Sequence, residues 1–298
     1  MEMTVLVCGA TGSIGAPVVA ELVRHGHPVR ALVRDASRAA ALPAGADPVY
    51  GDLRDPAAVA TALTGVTAAL YVSPHDPDEV AMAERFAATC ERLGVRLIFA
   101  GVYADGRTAL HRWAMRTLFG LMVPHYRGKL RIGVRMISST ARPVVFAVTN
   151  FYQNDEIVRE DILDGRYPLP AHPKGLNRVD LRDAAVIITR AMTEPEFPSG
   201  GYTIAGPASV GGIEAARTWS AALGRPVAYE GDGDWQAVLS RRLSGPKLED
   251  FKRSYAFLGR HGFATSPADV AATTRLLGRP PRAYAEYARD MASAWSVC

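Results

Sequence analysis

Short apolar runs alternate with amphipathic segments along the first half of the chain. The apolar runs predict buried strands at residues 4–8, 29–33, 49–50, 68–72, 95–100 and 144–148. Amphipathic segments lie between them, and in one of these the apolar side chains Val18, Val19 and Leu22 recur at helical spacing. Because strands that alternate with helices pair in parallel through right-handed crossovers, this pattern predicts an α/β fold.

The pattern changes after the fifth predicted strand, and helices then dominate. They are predicted at residues 108–121, 124–138, 154–163, 180–192, 212–223, 234–242, 247–260, 267–277 and 282–295. We expect residues 1–150 to form a doubly wound parallel sheet with helices on both faces, and residues 177–205 to return to it. Residues 151–176 and 206–298 are expected to form a smaller, mostly helical C-terminal region.

The composition is that of an ordinary globular protein, since the 298 residues are 48% hydrophobic and 21% charged. The formal net charge of +4 comes without a run of Lys or Arg, so neither nucleic acid nor a membrane is an expected partner. The three cysteines lack the spacing of a metal site or a disulfide framework, and we expect no metal. No apolar run is long enough to cross a bilayer, and no signal peptide precedes the first strand. We therefore expect a cytoplasmic protein.

A glycine-rich loop, Gly9-Ala10-Thr11-Gly12-Ser13-Ile14-Gly15, joins the first predicted strand to the first predicted helix. Gly9 permits a tight turn, Gly12 permits close approach of a diphosphate, and Gly15 permits close packing of helix and strand. The helix N-terminus adds unpaired N–H groups and a partial positive charge. With a strand before it and a helix after it, the loop has the context of the Rossmann dinucleotide-binding fingerprint. The predicted cofactor-binding residues of this loop are Gly9, Thr11, Gly12, Ser13, Ile14 and Gly15.

The residues after the second and third strands bear on the choice of dinucleotide. Where an NAD site carries Asp or Glu for the ribose 2′-hydroxyl, this chain has Arg34, and Arg38 follows it. Guanidinium groups suit a 2′-phosphate, so we predict NADP(H), although the carboxylate of Asp35 argues for NAD. The alternative for both arginines is simple solvation. Asp52 is predicted either to accept a hydrogen bond from the adenine amino group or to stabilise a turn.

These segments resemble the NmrA-like branch of the atypical short-chain dehydrogenases/reductases. The resemblance rests on residues 7–15, Leu32-Val33-Arg34-Asp35, Gly51-Asp52-Leu53, Asn150-Phe151-Tyr152-Gln153-Asn154 and Val179-Asp180-Leu181-Arg182-Asp183-Ala184-Ala185. It is good to about residue 205 and weak beyond. It implies an NAD(P)-binding Rossmann fold, and it implies either an NADPH-dependent reductase or a protein that binds NADP without turning it over.

The chain departs from the superfamily in its expected catalytic residues. The superfamily usually carries a Ser after the fifth strand and a Tyr-x-x-x-Lys motif. This chain has Ala100-Gly101-Val102-Tyr103 at the first place and no such motif anywhere. The nearest match is Tyr126 and Lys129, three positions apart. Because positions three apart still share a helix face, Tyr126 could lie close to Lys129.

Lys129 is the best catalytic candidate. A lysine there could bind the nicotinamide ribose and lower the pKa of a nearby hydroxyl or water, and the alternative is a surface lysine on an amphipathic helix. Tyr126 and Tyr103 compete as proton donor. The alternative for both is an aromatic side chain that lines the pocket.

Further candidates follow the fourth and sixth strands or precede Lys129. Ser73 and His75 are expected to pass under the nicotinamide, where Ser73 would contact the cofactor and His75 the substrate. His125 is a second substrate candidate because imidazole titrates near neutrality, although a lone histidine is more often structural. Asn154 is predicted to orient a substrate loop or, more simply, to cap a helix.

Taken together, these features predict an NADPH-dependent oxidoreductase that transfers hydride to a carbonyl or conjugated alkene of a small or medium organic substrate. The C-terminal region is expected to bind that substrate, and a homodimer is left open. The missing Ser and displaced Tyr keep two alternatives. One is an NADP(H)-binding redox sensor that contacts a partner. The other is an enzyme of the same fold that catalyses a non-redox cyclisation or isomerisation.

Overall fold

The computed structural model describes residues 3–102, 126–148 and 150–295. Within these residues the chain forms two compact units. The first comprises the described residues up to Val148 together with Ala184–Thr203. The second comprises the described residues from 150 to Asp183 and from Ile204 onward.

Strands and helices alternate in the first unit, and helices dominate the second. The strands are β1 (Val5–Cys8), β2 (Val29–Val33), β3 (Ala46–Tyr50), β4 (Ala68–Val72), β5 (Arg96–Gly101), β6 (Val144–Val148), β7 (Asn150–Phe151), β8 (Arg166–Tyr167), β9 (Leu176–Val179), β10 (Gly200–Ile204), β11 (Ser209–Val210) and β12 (Ala228–Tyr229). The α-helices are α1 (Gly15–Arg24), α2 (Ala36–Ala39), α3 (Pro56–Leu63), α4 (Glu79–Leu93), α5 (Arg127–Ile137), α6 (Arg159–Leu163), α7 (Leu181–Thr193), α8 (Gly212–Leu223), α9 (Trp235–Arg242), α10 (Gly245–His261), α11 (Pro267–Leu277) and α12 (Tyr284–Trp295). Among the described residues, no helix has both the length and the apolar character needed to cross a membrane.

In the described part of the chain, seven strands form one sheet in the order β10-β6-β5-β4-β1-β2-β3. β1 pairs in parallel with β2 and β4, β2 with β3, β4 with β5, and β5 with β6. The strand order reverses between β1 and β4, because the chain passes from β1 outward to β3 and then returns to β4. Ligands of doubly wound sheets bind at such a switch point, outside the carboxyl ends of the strands. The predicted Rossmann-type parallel sheet is confirmed.

Apolar side chains bury the centre of this sheet. All residues of β1 are buried, which explains why its sequence is a continuous apolar run rather than an alternating one. Val18 and Leu22 of α1 are buried as well. The thiols of Cys8 and Cys90 lie in the same core, and burial raises the pKa of both, that of Cys90 to about 12. These thiols are therefore core side chains rather than nucleophiles.

The second unit has its own core, which contains a buried ion pair. Asp155 Oδ1 lies 2.6 Å from Arg178 Nη2, and the two side chains are 0% and 4% exposed. Asp155 also accepts hydrogen bonds from the hydroxyl of Tyr167 and from Nε1 of Trp219, both at 3.0 Å. The hydroxyl of Tyr284 is a further donor to it. These donors offset the cost of burying the carboxylate.

The sequence predicts the helices of the second unit but not its small sheets. Among the described residues these are β11-β9-β7 and β12-β8. Most of their strands have two residues, too few for an alternating pattern to show. The helix expected at 154–163 is a 3₁₀-helix, Tyr152–Val158, followed by α6. Because β9 pairs with β7 and β11, the chain returns to the first unit at Ala184 rather than at residue 177.

Candidate functional site

The loop after β1 forms a cradle that requires glycine. Gly9 has a φ of +76°, in the left-handed region that other residues rarely adopt. A Cβ on Gly15 would lie 2.1 Å from the Gly9 carbonyl oxygen, so any larger residue would push α1 away from the end of β1. The N–H of Gly12 donates to the same carbonyl oxygen at 2.9 Å and closes the turn. The N-terminus of α1 is therefore held against the switch point.

No side chain competes for the N-terminus of α1 within the described residues. Its N-cap residue, Ile14, makes no side-chain capping bond, and its first turn contains no acidic residue. Gly9, Gly12 and Ser13 of the loop are exposed. Since unpaired N–H groups and the helix dipole favour an anion at this position, the cradle fits a dinucleotide diphosphate.

The segment after β2 brings one of the two predicted arginines to this loop. The side chain of Arg38 donates from Nη1 to the Thr11 hydroxyl at 3.2 Å. Asp35 accepts a hydrogen bond from the backbone N–H of Arg38 at 2.9 Å and so caps α2. Arg34 is exposed beside it. The carboxylate of Asp35, which favours NAD in the sequence, is thus bonded within its own helix cap. The guanidinium of Arg38 lies next to the glycine-rich loop.

The segment after β3 has the turn geometry that was one of the two interpretations of Asp52. Its Oδ1 accepts a hydrogen bond from the backbone N–H of Arg54 at 2.8 Å. The guanidinium of Arg54 pairs with Asp76, in the segment between β4 and α4, and lies 3.8 Å from the second oxygen of Asp52. The contact of Asp52 with adenine stays a prediction.

A second polar cluster follows β4. Nζ of Lys129, on α5, lies 3.1 Å from Oε2 of Glu79, the first residue of α4. The hydroxyl of Ser73 donates to the same oxygen at 3.0 Å. The side chains of Lys129 and Glu79 are only 12% and 13% exposed. Since Ser73 directly follows β4, this Ser73–Glu79–Lys129 cluster lies at the carboxyl edge of a strand that forms the switch point.

The structure gives less information on the remaining candidates of the first unit. Tyr126 is half-buried and directly precedes α5, so it lies one helical turn before Lys129. His75 is exposed in the segment after β4. Tyr103 and His125 lie outside the described residues, so their roles stay predictions.

Asn154 belongs to the second unit, where it joins a polar group rather than capping a helix. Its side-chain nitrogen donates to Oδ1 of Asn150 at 3.2 Å. Burial raises the pKa of Tyr255 to about 12, and the nearby side chains of both asparagines oppose this rise. Asn150 and Tyr255 also line a small cavity together with Arg178 and Leu169. The helix-cap interpretation of Asn154 is therefore wrong, and a substrate contact stays a prediction.

The sequence model of the NmrA-like family matches residues 1–287 of this chain. The chain belongs to the NmrA-like family. The resemblance inferred from the motifs is thus confirmed, and the match continues well beyond the point at which the motifs became weak. This NmrA-like chain is also 29% identical to an NAD(P)H azoreductase of Xenophilus azovorans, over 98% of this chain and 99% of that protein.

Solved structures show the same fold. Triphenylmethane reductase of Citrobacter sp., complexed with NADP(H), superimposes with a TM-score of 0.76 at 17% identity, over 97% of this chain and 99% of that one. NmrA, described as a negative transcriptional regulator and solved in complex with NADP, superimposes with a TM-score of 0.75 at 18% identity, over 99% of this chain and 97% of that one. At such identities the likeness establishes the architecture and leaves activity to other arguments.

Three polar residues of this site are absent from the sequence-based candidates. They are Glu79, Arg54 and Asp76, all of which contact a predicted site residue or its neighbour. A carboxylate in the first turn of a helix is ordinarily explained by the helix dipole, so Glu79 carried no distinctive sequence signal. Among the described residues, no group of His, Cys, Asp and Glu side chains could hold a metal ion.

Proposed function

We propose that this NmrA-like protein is an NADPH-dependent reductase that transfers hydride to a carbonyl or conjugated alkene of a small or medium organic acceptor. The observation that carries the proposal is the glycine cradle at the switch point with Arg38 bonded to Thr11 beside it. A diphosphate and a ribose 2′-phosphate need these two features close together. The names of the relatives agree, since one is an NAD(P)H azoreductase and another a triphenylmethane reductase.

The first unit supplies the cofactor contacts in this proposal. The backbone of residues 9–15 binds the diphosphate, with the hydroxyl groups of Thr11 and Ser13 as further donors. Arg34 and Arg38 bind the 2′-phosphate, because a guanidinium can form two parallel bonds to phosphate oxygens. Asp52 accepts from the adenine amino group through Oδ2, the oxygen that does not accept from the Arg54 N–H.

In this proposal the Ser73–Glu79–Lys129 cluster would hold the nicotinamide end of the cofactor. When bound, NADPH supplies the hydride. The ammonium of Lys129 binds the nicotinamide ribose and stabilises the negative charge that develops on the acceptor. The proton comes from a phenol, and Tyr126 and Tyr103 are the two candidates.

We assign contacts with the acceptor to His75, which follows β4, and to His125 and Asn154. The hydrogen bond from Asn154 to Asn150 supports the assignment of Asn154, because Asn150 and Tyr255 line one small cavity together with apolar side chains. Sites for small organic molecules typically combine an apolar lining with a few fixed polar groups.

Replacement of Lys129 tests the proposal. Lys129→Ala should lower kcat at least about 100-fold, the size of a lost acid–base or charge-stabilising group. NADPH binding should weaken no more than about fivefold, the worth of one hydrogen bond. Nicotinamide fluorescence measures binding, and NADPH oxidation with a quinone, a cyclic enone and an aromatic azo compound measures turnover.

Lys174→Ala is the matched control for this experiment, because Lys174 is an exposed lysine of the second unit, and it should leave both values unchanged. Unchanged turnover in Lys129→Ala would remove Lys129 from the mechanism. If neither nicotinamide nucleotide bound saturably to the purified protein, the whole proposal would be rejected.

A regulatory protein that binds NADP(H) without turnover is the second candidate. Two observations favour it: the chain lacks the Tyr-x-x-x-Lys motif, and its fold matches that of NmrA, described as a transcriptional regulator. Saturable NADPH binding with no oxidation by any acceptor of the panel would support this candidate over the reductase.

A further inference from the structure

We propose that Glu79 is a positioning residue of this site, whose carboxylate fixes the Lys129 ammonium and the Ser73 hydroxyl at the carboxyl edge of β4. The inference rests on the proposed function, because it concerns the lysine to which that function assigns the chemistry. It adds a carboxylate that belongs to none of the sequence motifs.

One oxygen of this carboxylate accepts hydrogen bonds from groups of two other segments. Oε2 accepts from Nζ of Lys129 at 3.1 Å and from the Ser73 hydroxyl at 3.0 Å. A Cβ built on Gly128 would lie in van der Waals contact with Oε1, at 3.5 Å, so this oxygen lies near the first turn of α5. Glu79 therefore connects the end of β4 to the start of α5.

The position of Lys129 at the start of α5 explains why a carboxylate beside its ammonium is favourable. Lys129 is in the first turn of α5, where the helix dipole makes a positive charge unfavourable. That turn contains no acidic residue of its own. Glu79, from α4, supplies the negative charge that offsets both the dipole and the partial burial of the ammonium.

A purely structural link between α4 and α5 is a weaker explanation. Among the described residues, three ion pairs join these helices: Glu79–Lys129, Glu84–Arg131 and Glu91–Arg135. The side chains of the second pair are 44% and 71% exposed and those of the third 25% and 27%, whereas those of the first are 12% and 13% exposed. Burial makes an ion pair costly, so stability alone does not favour placing a pair here. The buried pair is also the one that contains a lysine and contacts a strand end.

The expected consequence is a lysine that is held charged and in one place before the reaction. A neighbouring carboxylate favours the charged form of an amine. A donor fixed in advance stabilises developing charge without reorganisation. Because an ammonium can donate three hydrogen bonds, the contact with Glu79 is compatible with contacts to a ribose hydroxyl or an acceptor.

Chemical labelling of the cofactor-free protein tests the contact itself. The chain has Lys129, Lys174, Lys247 and Lys252 as its lysines, so acetylation by N-acetoxysuccinimide can be followed at each by mass spectrometry. Acylation requires the neutral amine, so Lys129 should react more slowly than the exposed Lys174. Glu79→Gln should speed acetylation of Lys129 about fivefold, as expected for loss of an ion pair, and leave Lys174 unchanged.

Kinetics of the same variant test the positioning role. Glu79→Gln should lower kcat about tenfold, with the NADPH dissociation constant unchanged. In a Lys129→Met background it should cause no further loss, because a residue that acts through another adds nothing once that residue is gone. A general structural defect would lower kcat in both backgrounds. Glu79→Asp keeps the charge. It should therefore restore part of the slow acetylation of Lys129 and part of kcat.

Glu84→Gln is the matched control, since it removes an exposed ion pair between the same two helices. It should change neither Lys129 labelling nor kcat. Unchanged Lys129 labelling in Glu79→Gln would overturn the proposal, and so would faster labelling with unchanged kcat. If Glu79→Gln does not fold, Glu79→Asp provides the same two measurements. Failure of NADPH binding would remove the proposed function, whereas labelling of the cofactor-free protein tests the contact separately.

Discussion

Two arginines after β2 contribute charge to the candidate cofactor site in different ways. Arg38 is tied to the phosphate loop through Thr11, and its backbone N–H is bonded to Asp35. Arg34 is exposed, and its charge is screened by solvent until a phosphate approaches. In the proposed site, the choice between NADPH and NADH would therefore depend on single side chains, which the fold itself does not determine.

Reversing the charge at Arg34 should reverse part of this preference. We expect Arg34→Glu to reduce the ratio of NADPH to NADH affinity by about 10- to 100-fold, because one charge-assisted hydrogen bond to phosphate contributes about 1.5–3 kcal/mol. Fluorescence titrations with both nucleotides measure the ratio.

Arg217→Glu makes the same change in net charge at an exposed position of α8, and it should leave the ratio unchanged. Equal ratios in Arg34→Glu and in the parent protein would reject NADPH selection by this residue.

The contact between β1 and α1 is the structural element on which the proposed cofactor site depends. α1 can begin at the end of β1 only because Gly15 has no side chain, as a Cβ there would overlap the Gly9 carbonyl oxygen. This close approach places the positive end of α1 at the switch point. The packing of strand and helix and the binding of an anion therefore have the same steric origin.

Gly15→Ala tests whether the close approach of α1 to β1 requires glycine, and a second glycine variant measures the ordinary cost of losing a glycine. We expect it to lower the free energy of unfolding of the first unit by about 3 kcal/mol through overpacking and to abolish NADPH binding. Gly94→Ala is the control, because Gly94 has a φ of +68° at the end of α4 and open space around it. It should cost about 1–2 kcal/mol and leave binding intact. Urea denaturation and NADPH titration give both values, and equal effects of the two variants would contradict the steric argument.

The molecule as a whole combines two units with different sources of stability. The first unit buries the apolar strands of its parallel sheet in a core of apolar side chains. The core of the second unit packs aromatic side chains around the Asp155–Arg178 ion pair, and Trp219, bonded to Asp155, stacks on Trp295 at 4.7 Å. A change at the ion pair should therefore alter the stability of the second unit, and the fluorescence of its tryptophans should follow that change.

Asp155→Asn should destabilise the second unit strongly, because it leaves the Arg178 guanidinium buried without its counter-charge. We expect a loss of about 3–5 kcal/mol in the free energy of unfolding, measured by urea denaturation with tryptophan fluorescence. The exposed pair Glu84–Arg131 gives the comparison, and Glu84→Gln should cost about 1 kcal/mol or less. Similar losses of unfolding free energy in the two variants would show that the buried pair stabilises the protein no more than the exposed pair does.

Much of the first unit could be predicted because its information is local. The strands β2, β4 and β6 lie where their apolar runs predict them, since a buried parallel strand needs only consecutive apolar residues. The loop from Gly9 to Gly15 could be recognised for the same reason, because the strand, the glycines and the helix follow one another directly along the chain.

Contacts between distant residues were decided by the tertiary structure alone. Glu79 and Lys129 are 50 positions apart, and Asp155 and Arg178 are 23 apart. Their pairing depends on how α4 packs on α5 and how β7 pairs with β9, which no periodicity in either segment encodes. The sequence by itself therefore determined the sheet, the phosphate loop and the family. Only the folded chain determined which carboxylate meets which cation, because that depends on distances in space rather than on order along the chain.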